Sequence, residues 1–480
     1  MKKALFWFRR DLRLDDNCAL FHCLNENDMV APVFIFDKNI LSNLPKKDKR
    51  VEFIWNNIKN IKAELNKIGS DLIINYAKAD DIVDIAKKYN VSRVYCNHDY
   101  EPKGIERDNV IKEALLKSNI EFCSYKDISI FEKNEVIDKT NQIYHVFSQY
   151  KKAWKQKLES GHYVSYPSLS LLDKMAKFKS KTFPSLEEMG FEKAGLEKTK
   201  ILGETGYANI LFERFKKKPI VNYKVAREYP NINATSFLSV HNRFGTISIR
   251  KLVRDVINLI KTSTDTKKES CEAWLDELIW RDFYFQILFH YPRVAHEPFK
   301  SEFKDIEWEN NMLYFQKWCD GQTGYPIIDA AMTQLNTTGY MHNRMRMLTS
   351  SFLTKLLLVD YRFGEEYFAT KLLDFELSSN NGGWQWAASS GCDAQVANRI
   401  FSPILQSEKF DGKGIFIQRY LPVLAKIPPE YLHNPWEFQE EILCYGVELG
   451  KDYPMPIINY KKAREKALTI FSTLESKVTV

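Results

Sequence analysis

Five short apolar runs, ALFWF (4–8), APVFIF (31–36), DLIINY (71–76), SRVYCN (92–97) and IEFCSY (120–125), punctuate the first 130 residues, and each has the length of a strand. Helical patterns lie between them. In RVEFIWNNIKNIKAELNKIG (50–69), Phe53, Ile54, Ile58, Ile61 and Leu65 fall on one face and Gly69 closes the helix. Strand–helix alternation predicts an α/β domain with a doubly wound parallel sheet of Rossmann-like type. No G-x-G-x-x-G follows the first strand, so the dinucleotide fingerprint is absent.

From about 130 to 200 the periodicity weakens. SYPSLSLLDKMAKFKSKTFPSLEEMGFEKAG carries prolines, serines and lysines without a sustained period and reads as a connector. After TGYANILFERF the chain becomes helix after helix, ending in the basic amphipathic YKKAREKALTIF (460–471). The expected organisation is an α/β domain over 1–130, a linker over 131–200 and a large all-α domain over 201–475. A chain of 480 residues exceeds one ordinary core, which agrees with two domains.

Composition narrows the classes. Hydrophobic residues at 44% and aromatics at 14% suit large cores and argue against disorder. The net charge of +7 permits a nucleic-acid partner without requiring one. Eight cysteines are scattered, with no C-x-x-C and no nearby histidine pair, so no metal site is expected and a reducing compartment suits them. The arginines and aspartates of MKKALFWFRRDLRLDDN arrive too early for a signal peptide, and no run reaches the length of a membrane span. A cytoplasmic protein is expected.

The helical part holds the unusual segments. TSFLSVHNRFGTIS (235–248) groups hydroxyls ahead of the helix that begins IRKLV, as a capped loop or a phosphate-binding terminus would. WLDELIWRDF (274–283) sets Glu277 among tryptophans on one helix, a carboxylate that is costly to bury without a partner. TGYMHNRMRM (338–347) offers Arg344 and Arg346, and LLDFELSS (372–379) offers Asp374 and Glu376, charges that suit an Arg346–Asp374 pair although the spacing does not fix it. NNGGWQWAASSG (380–391) joins amides, a glycine pair and two indoles, although each glycine costs a helix about 1 kcal/mol relative to alanine. NRIFSPILQSEKFD (398–411) adds Arg399, Gln406 and Lys409, groups of the kind that grip phosphates.

Together with WFRRDLRLDDN (7–17) and TGYPIIDAAMTQLNTTGYMHNRMRM (323–347), these segments resemble the photolyase/cryptochrome family over nearly the whole chain, and most closely its bacterial class I cyclobutane pyrimidine dimer branch. The resemblance implies an N-terminal α/β domain, a linker and a helical domain that binds FAD. It implies that Tyr223, Thr235, Ser236, Leu238 and Ser239 hold the FAD phosphates and ribityl chain. Asn343, Arg346, Asp374 and Asn380 would surround the isoalloxazine, with Asn380 at N5 and with Trp274 and Glu376 in the same cofactor-binding set. Glu277 would hydrogen-bond a flipped-out dimer, enclosed by Trp280 and Trp386 with Met347 packed against it. Arg227, Arg281, Arg344, Arg399, Gln406 and Lys409 would contact the backbone of UV-damaged DNA. Trp384, Tyr361 and Trp308 would form the electron route to the flavin.

The implied activity is light-dependent repair, in which photoexcited FADH⁻ splits cyclobutane pyrimidine dimers in a monomeric carbon–carbon lyase. The alternatives are a cryptochrome-type blue-light photoreceptor without repair, and a flavoprotein or nucleic-acid-binding module whose motifs are structural. Four departures stand out. Glu376 replaces an aspartate, Phe237 stands where arginine is frequent, and Tyr361 occupies the middle tryptophan's place, where it either relays electrons or merely packs while they pass by Trp318. Lys103 and Gly104 replace the asparagine–glutamate clamp of folate-binding relatives, so no folate antenna is expected, and the second chromophore is either a deazaflavin or absent.

Overall fold

The computed structural model describes residues 1–180, 183–199, 201, 203 and 206–478. It divides into two compact units, one of residues 1–144, 148–221 and 236–290, the other of 145–147, 222–235 and 291–480.

The first unit is built on a five-stranded sheet of order β3-β2-β1-β4-β5, with β1 Lys3–Phe8, β2 Met29–Asp37, β3 Ile73–Ala77, β4 Arg93–Asn97 and β5 Glu121–Tyr125. All four pairings are parallel, with Leu5 opposite Ala31 on one side and Val94 on the other. This is the expected α/β sheet, found at all five apolar runs. β1 is buried at every position from Ala4 to Phe8, because helices cover both faces of a parallel sheet. The Lys49–Lys67 helix supplies one cover, starting where Asp48 accepts from Arg50 N at 2.8 Å.

The connector contains more structure than its sequence suggests. Phe147–Lys157 is a helix whose Tyr150 and Trp154, four residues apart, are fully buried. Its remaining positions are mostly lysine, glutamine and serine, so the apolar stripe is one residue wide and escapes a periodicity reading. Two long helices, Ile249–Thr262 and Asp265–His290, also belong by contact to this unit.

WFRRDLRLDDN serves packing here. Arg13 and Arg250 both donate to the buried Asp127 at 2.7–2.8 Å, and Arg250 Nε also reaches Asp16 at 3.0 Å. Gly245, at φ +62°, lies so close to Arg10 that a Cβ would fall 2.2 Å from its carbonyl oxygen.

The second unit is helical, with one core that includes Trp318, Phe352, Phe368, Trp384 and Phe416. Asp329, inside the Pro326–Thr338 helix, ties the TGYP loop to it. Its carboxylate accepts from Thr323 N and Oγ1, Gly324 N and the Tyr453 hydroxyl. No helix among the described residues is long and apolar enough to cross a membrane.

Candidate functional site

In the second unit, NNGGWQW forms the helix Leu377–Ala387. A Cβ built on Gly383 meets nothing within 4 Å, so this exposed helix face borders open space. The opposite holds at Gly364 on the neighbouring Tyr361–Lys371 helix, where a Cβ would fall 2.1 Å from the Trp384 indole. Glycine there admits the ring. Trp384 is 2% exposed, meets Phe368 edge-on at 4.9 Å and Trp318 at 6.0 Å, and its indole N–H has no hydrogen-bond partner among the described residues. Trp386 remains half-buried, so the two indoles occupy different environments.

The asparagines that begin the motif are braced by Glu365. Asn380 Nδ2 donates to the Glu365 carbonyl at 3.0 Å. Asn381 Nδ2 donates to the Glu365 carboxylate at 3.1 Å and to Val294 O at 2.8 Å. Burial pushes the Glu365 carboxyl up to about 7, against the pull of the Asn381 hydrogen bond.

Arg346 and Asp374 form the pair that their charges suit, with Nη2 2.8 Å from Oδ2. Arg346 Nε also donates to Met341 O, and its guanidinium lies 5.9 Å from the Tyr340 ring. Tyr340 in turn meets Thr235 at 3.4 Å between hydroxyls. Three of the sequence-derived cofactor residues, Thr235, Arg346 and Asp374, are thereby brought together through Tyr340, which the sequence reading passed over. Asn343 is exposed at the start of its helix, Met347 is half-buried on the same helix, and Glu376 is buried at the N-cap of Leu377–Ala387. Tyr223 is buried beneath Arg227, whose guanidinium lies 5.6 Å above the ring.

A cluster of arginines follows. Arg344 pairs with Glu228 and lies 4.5 Å from the Phe410 ring centroid. Burial, followed by repulsion from Arg227 and Arg399, holds its pKa below the usual arginine range. Arg399 and Lys409 are exposed and Gln406 is half-buried, the last two on the Pro403–Asp411 helix. Like charges gathered this closely favour an anion between them.

In the first unit, the Asp265–His290 helix carries Trp274, Glu277, Trp280 and Arg281. Trp274 is 3% exposed and packs against Phe212 at 5.6 Å and Phe215 at 5.3 Å, a core position. Glu277 and Trp280 are half-buried. Arg281 is half-buried as well. Its guanidinium donates to Ile128 O at 2.5 Å and Asn242 O at 3.2 Å and covers Phe285 at 4.6 Å, so its donors serve the protein's own backbone. Next to it, Asp282 accepts from Ile130 N, Phe131 N and Trp154 Nε1, and burial pushes its carboxyl up to about 6. The sequence reading missed Asp282, because a carboxylate whose partners lie more than 120 residues away leaves no local signal. Ser236 accepts from Leu238 N at 3.4 Å across Phe237, whose φ is +55°. Leu238 is buried and Ser239 exposed.

A family model described as the FAD binding domain of DNA photolyase matches residues 274–473, and the DNA photolyase model matches 4–169. A deoxyribodipyrimidine photo-lyase from Buchnera aphidicola is 34% identical over 490 residues, covering 100% of this chain and 98% of the relative. The chain belongs to the photolyase/cryptochrome family. Among solved structures, a class III photolyase from Agrobacterium tumefaciens is 31% identical with a TM-score of 0.86, covering 99% of this chain and 98% of its own. A Sulfolobus tokodaii photolyase structure holding two FAD molecules is 32% identical at TM-score 0.78, covering 98% and 100%. A Synechocystis cryptochrome is 26% identical at TM-score 0.88, covering 98% and 99%.

Two departures from the family pattern can be located in the fold, and for the first the structure gives a steric cause. Gly104 lies against Asp99, so that a Cβ would fall 2.6 Å from the Asp99 Cγ, and Asp99 is held by Arg10 at 3.3 Å and Arg107 at 3.6 Å. A glutamate cannot stand at 104 without displacing that carboxylate. Tyr361 is 4% exposed, its hydroxyl has no hydrogen-bond partner among the described residues, and it makes no ring contact with Trp384 or Trp308 among them. Trp308 is half-buried against Phe471 at 6.3 Å.

Proposed function

We propose that this photolyase-family protein repairs UV-damaged DNA by splitting cyclobutane pyrimidine dimers in light, as a cytoplasmic, monomeric carbon–carbon lyase. The observation that carries the reading is 34% identity to a deoxyribodipyrimidine photo-lyase over the whole chain, combined with an Asn380 amide oriented to accept. FAD, when bound in its reduced form, supplies on absorbing light the electron that opens the cyclobutane ring and takes it back afterwards.

The chain's own residues do the rest. Because Asn380 Nδ2 is committed to the Glu365 carbonyl, its Oδ1 is the atom left free to accept, and it would take a hydrogen bond from the N5–H of a reduced flavin held there. Asp374, fixed by Arg346, offers a second acceptor at the ring. The open side of Gly383 gives a planar cofactor room to lie close to the backbone, and Tyr223, Thr235, Ser236, Leu238 and Ser239 hold its phosphates and ribityl chain. Glu277 hydrogen-bonds the flipped dimer, while Trp280, Trp386 and Met347 replace the stacking it loses. Arg227, Arg344, Arg399 and Lys409 neutralise phosphates without reading sequence, with Glu228 holding Arg344 until DNA displaces it.

By this reading residues 1–130 form the antenna domain, 131–200 the linker and 201–475 the catalytic domain. Gly104 argues against folate as the antenna. The purified protein should show flavin absorption bands and should prefer a duplex carrying one dimer over its undamaged twin. Equal affinity for the two, at a salt concentration where non-specific binding is weak, would contradict the proposal.

A further inference from the structure

Rings close in the Trp384 indole on the side of Phe368, 4.9 Å away, and Trp318, 6.0 Å away. Trp318 continues the chain of contacts. It stacks on Phe368 at 6.0 Å and 15° and on Phe315 at 6.0 Å and 18°, and it meets Tyr367 edge-on at 5.8 Å. Trp318 is fully buried, and its Nε1–H donates to the Thr349 carbonyl at 3.1 Å. Tyr367 is half-buried, with its hydroxyl 2.6 Å from Asn336 Oδ1 and 3.0 Å from Cys319 O.

Tyr361 offers neither continuity nor a path for its proton. It makes no ring contact with Trp384 among the described residues, and its buried hydroxyl donates to none of them. Oxidation of a phenol strips its proton, and a buried hydroxyl with no acceptor must keep it.

Resting on the flavoenzyme reading above, we propose that Trp384, once it has given an electron to photoexcited oxidised flavin, is refilled through Trp318 and Tyr367 rather than through Tyr361. Electrons and protons balance at each step. Trp384 loses one electron; Trp318 returns it and becomes the radical cation. The Trp318 indole keeps its proton, because the Thr349 carbonyl to which it is bonded is no base. Tyr367 then reduces Trp318; its phenolic proton leaves along the hydrogen bond to the half-buried Asn336 side chain and on to solvent, and Tyr367 becomes a neutral tyrosyl radical. A thiol in solution restores the phenol by giving up a hydrogen atom and ends as disulfide.

Gly364 is part of the same arrangement, since any larger residue would push the Trp384 indole away from its present neighbours. The experiment loads the protein with oxidised FAD, illuminates it in blue light with and without a thiol, and follows protein radicals by electron paramagnetic resonance and transient absorption. Trp318→Phe is expected to lose the long-lived tyrosyl radical. Tyr367→Phe, at a half-buried position that tolerates the change, is expected to lose it too and to leave a tryptophan radical in its place. Tyr361→Phe is expected to give the wild-type radical spectrum. Absence of a tyrosyl radical in the wild type, or its loss in Tyr361→Phe with retention in Tyr367→Phe, would overturn the route. Dimer splitting by dithionite-reduced protein, measured in parallel, tests the repair reading separately, because reduced protein needs no refilling of Trp384.

Discussion

Asn380 donates its side-chain amide to the main-chain carbonyl of Glu365 at 3.0 Å, and a carbonyl can only accept. The bond therefore fixes which way the amide points, a matter otherwise open for asparagine. Replacing Asn380 with serine should leave FAD content nearly unchanged and speed dark reoxidation of the reduced flavin several-fold, the equivalent of roughly 1 kcal/mol for one hydrogen bond. Absorbance of chemically reduced protein after admission of air checks it. Identical reoxidation in both proteins would remove Asn380 from N5.

Glu365 gives a pH signature. Its carboxyl is pushed from 4.5 to about 7 on folding, by burial first, with Asn381 opposing and Asp360 adding to the rise. The folded chain thus holds a proton that the unfolded chain has released, so stability falls as pH rises from about 4.5 to 7 and levels off above that range. Glu365→Gln has no such proton to hold. Its stability relative to wild type should grow between pH 5 and pH 8, by on the order of 3 kcal/mol. Denaturation midpoints of both proteins at the two pH values measure the gap, and a constant gap would contradict the assignment.

The arginines should separate into two classes. Arg344→Ala should flatten the log–log dependence of DNA affinity on salt by about 0.9, the share of one neutralised phosphate. Arg281→Ala should leave that slope unchanged and lower stability instead, because the Ile128 and Asn242 carbonyls lose their donors. Fluorescence anisotropy across a salt series, with melting curves, distinguishes the two. Equal slopes for wild type and Arg344→Ala would contradict the proposed DNA face.

Antenna content turns on Gly104. The protein should purify without stoichiometric methenyltetrahydrofolate, and Gly104→Glu should create no folate site while costing about 1–3 kcal/mol through the collision with Asp99. Mass spectrometry of extracted chromophores, with melting curves, checks both parts. One folate per chain in the wild type would overturn the inference.

The sheet was legible in the sequence because each strand carries a short apolar run, nearly continuous in the central β1 and β2 as a parallel sheet covered on both faces requires, while the edge strand β5 keeps Glu121 and Ser124 exposed. The charges of two motifs suggested the Arg346–Asp374 pair, but their spacing could not fix it, and only the fold brings the two side chains together. What escaped were partners joined only by folding. Glu365 lies in YRFGEEYF, where nothing distinguishes it from its exposed neighbours until the Tyr361–Lys371 helix turns it toward Asn381. Gly364, one position earlier, reads as a poor helix residue until the Trp384 indole is seen against it. Arg281 suits phosphate by its charge alone, and the two carbonyls that claim it are 153 and 39 residues away.

The central claim is dimer splitting in light, and one assay tests it directly. An oligonucleotide carrying a single cyclobutane thymine dimer is incubated with dithionite-reduced protein, in blue light and in the dark, and restored thymines are counted by chromatography. Wild type should restore them in light alone. Glu277→Ala should do so with lower yield while retaining its FAD, since a hydrogen bond to a charged group is worth roughly 1.5–3 kcal/mol. No restoration by flavin-loaded, reduced wild type under illumination would contradict the account and favour a photoreceptor that absorbs light without repairing DNA.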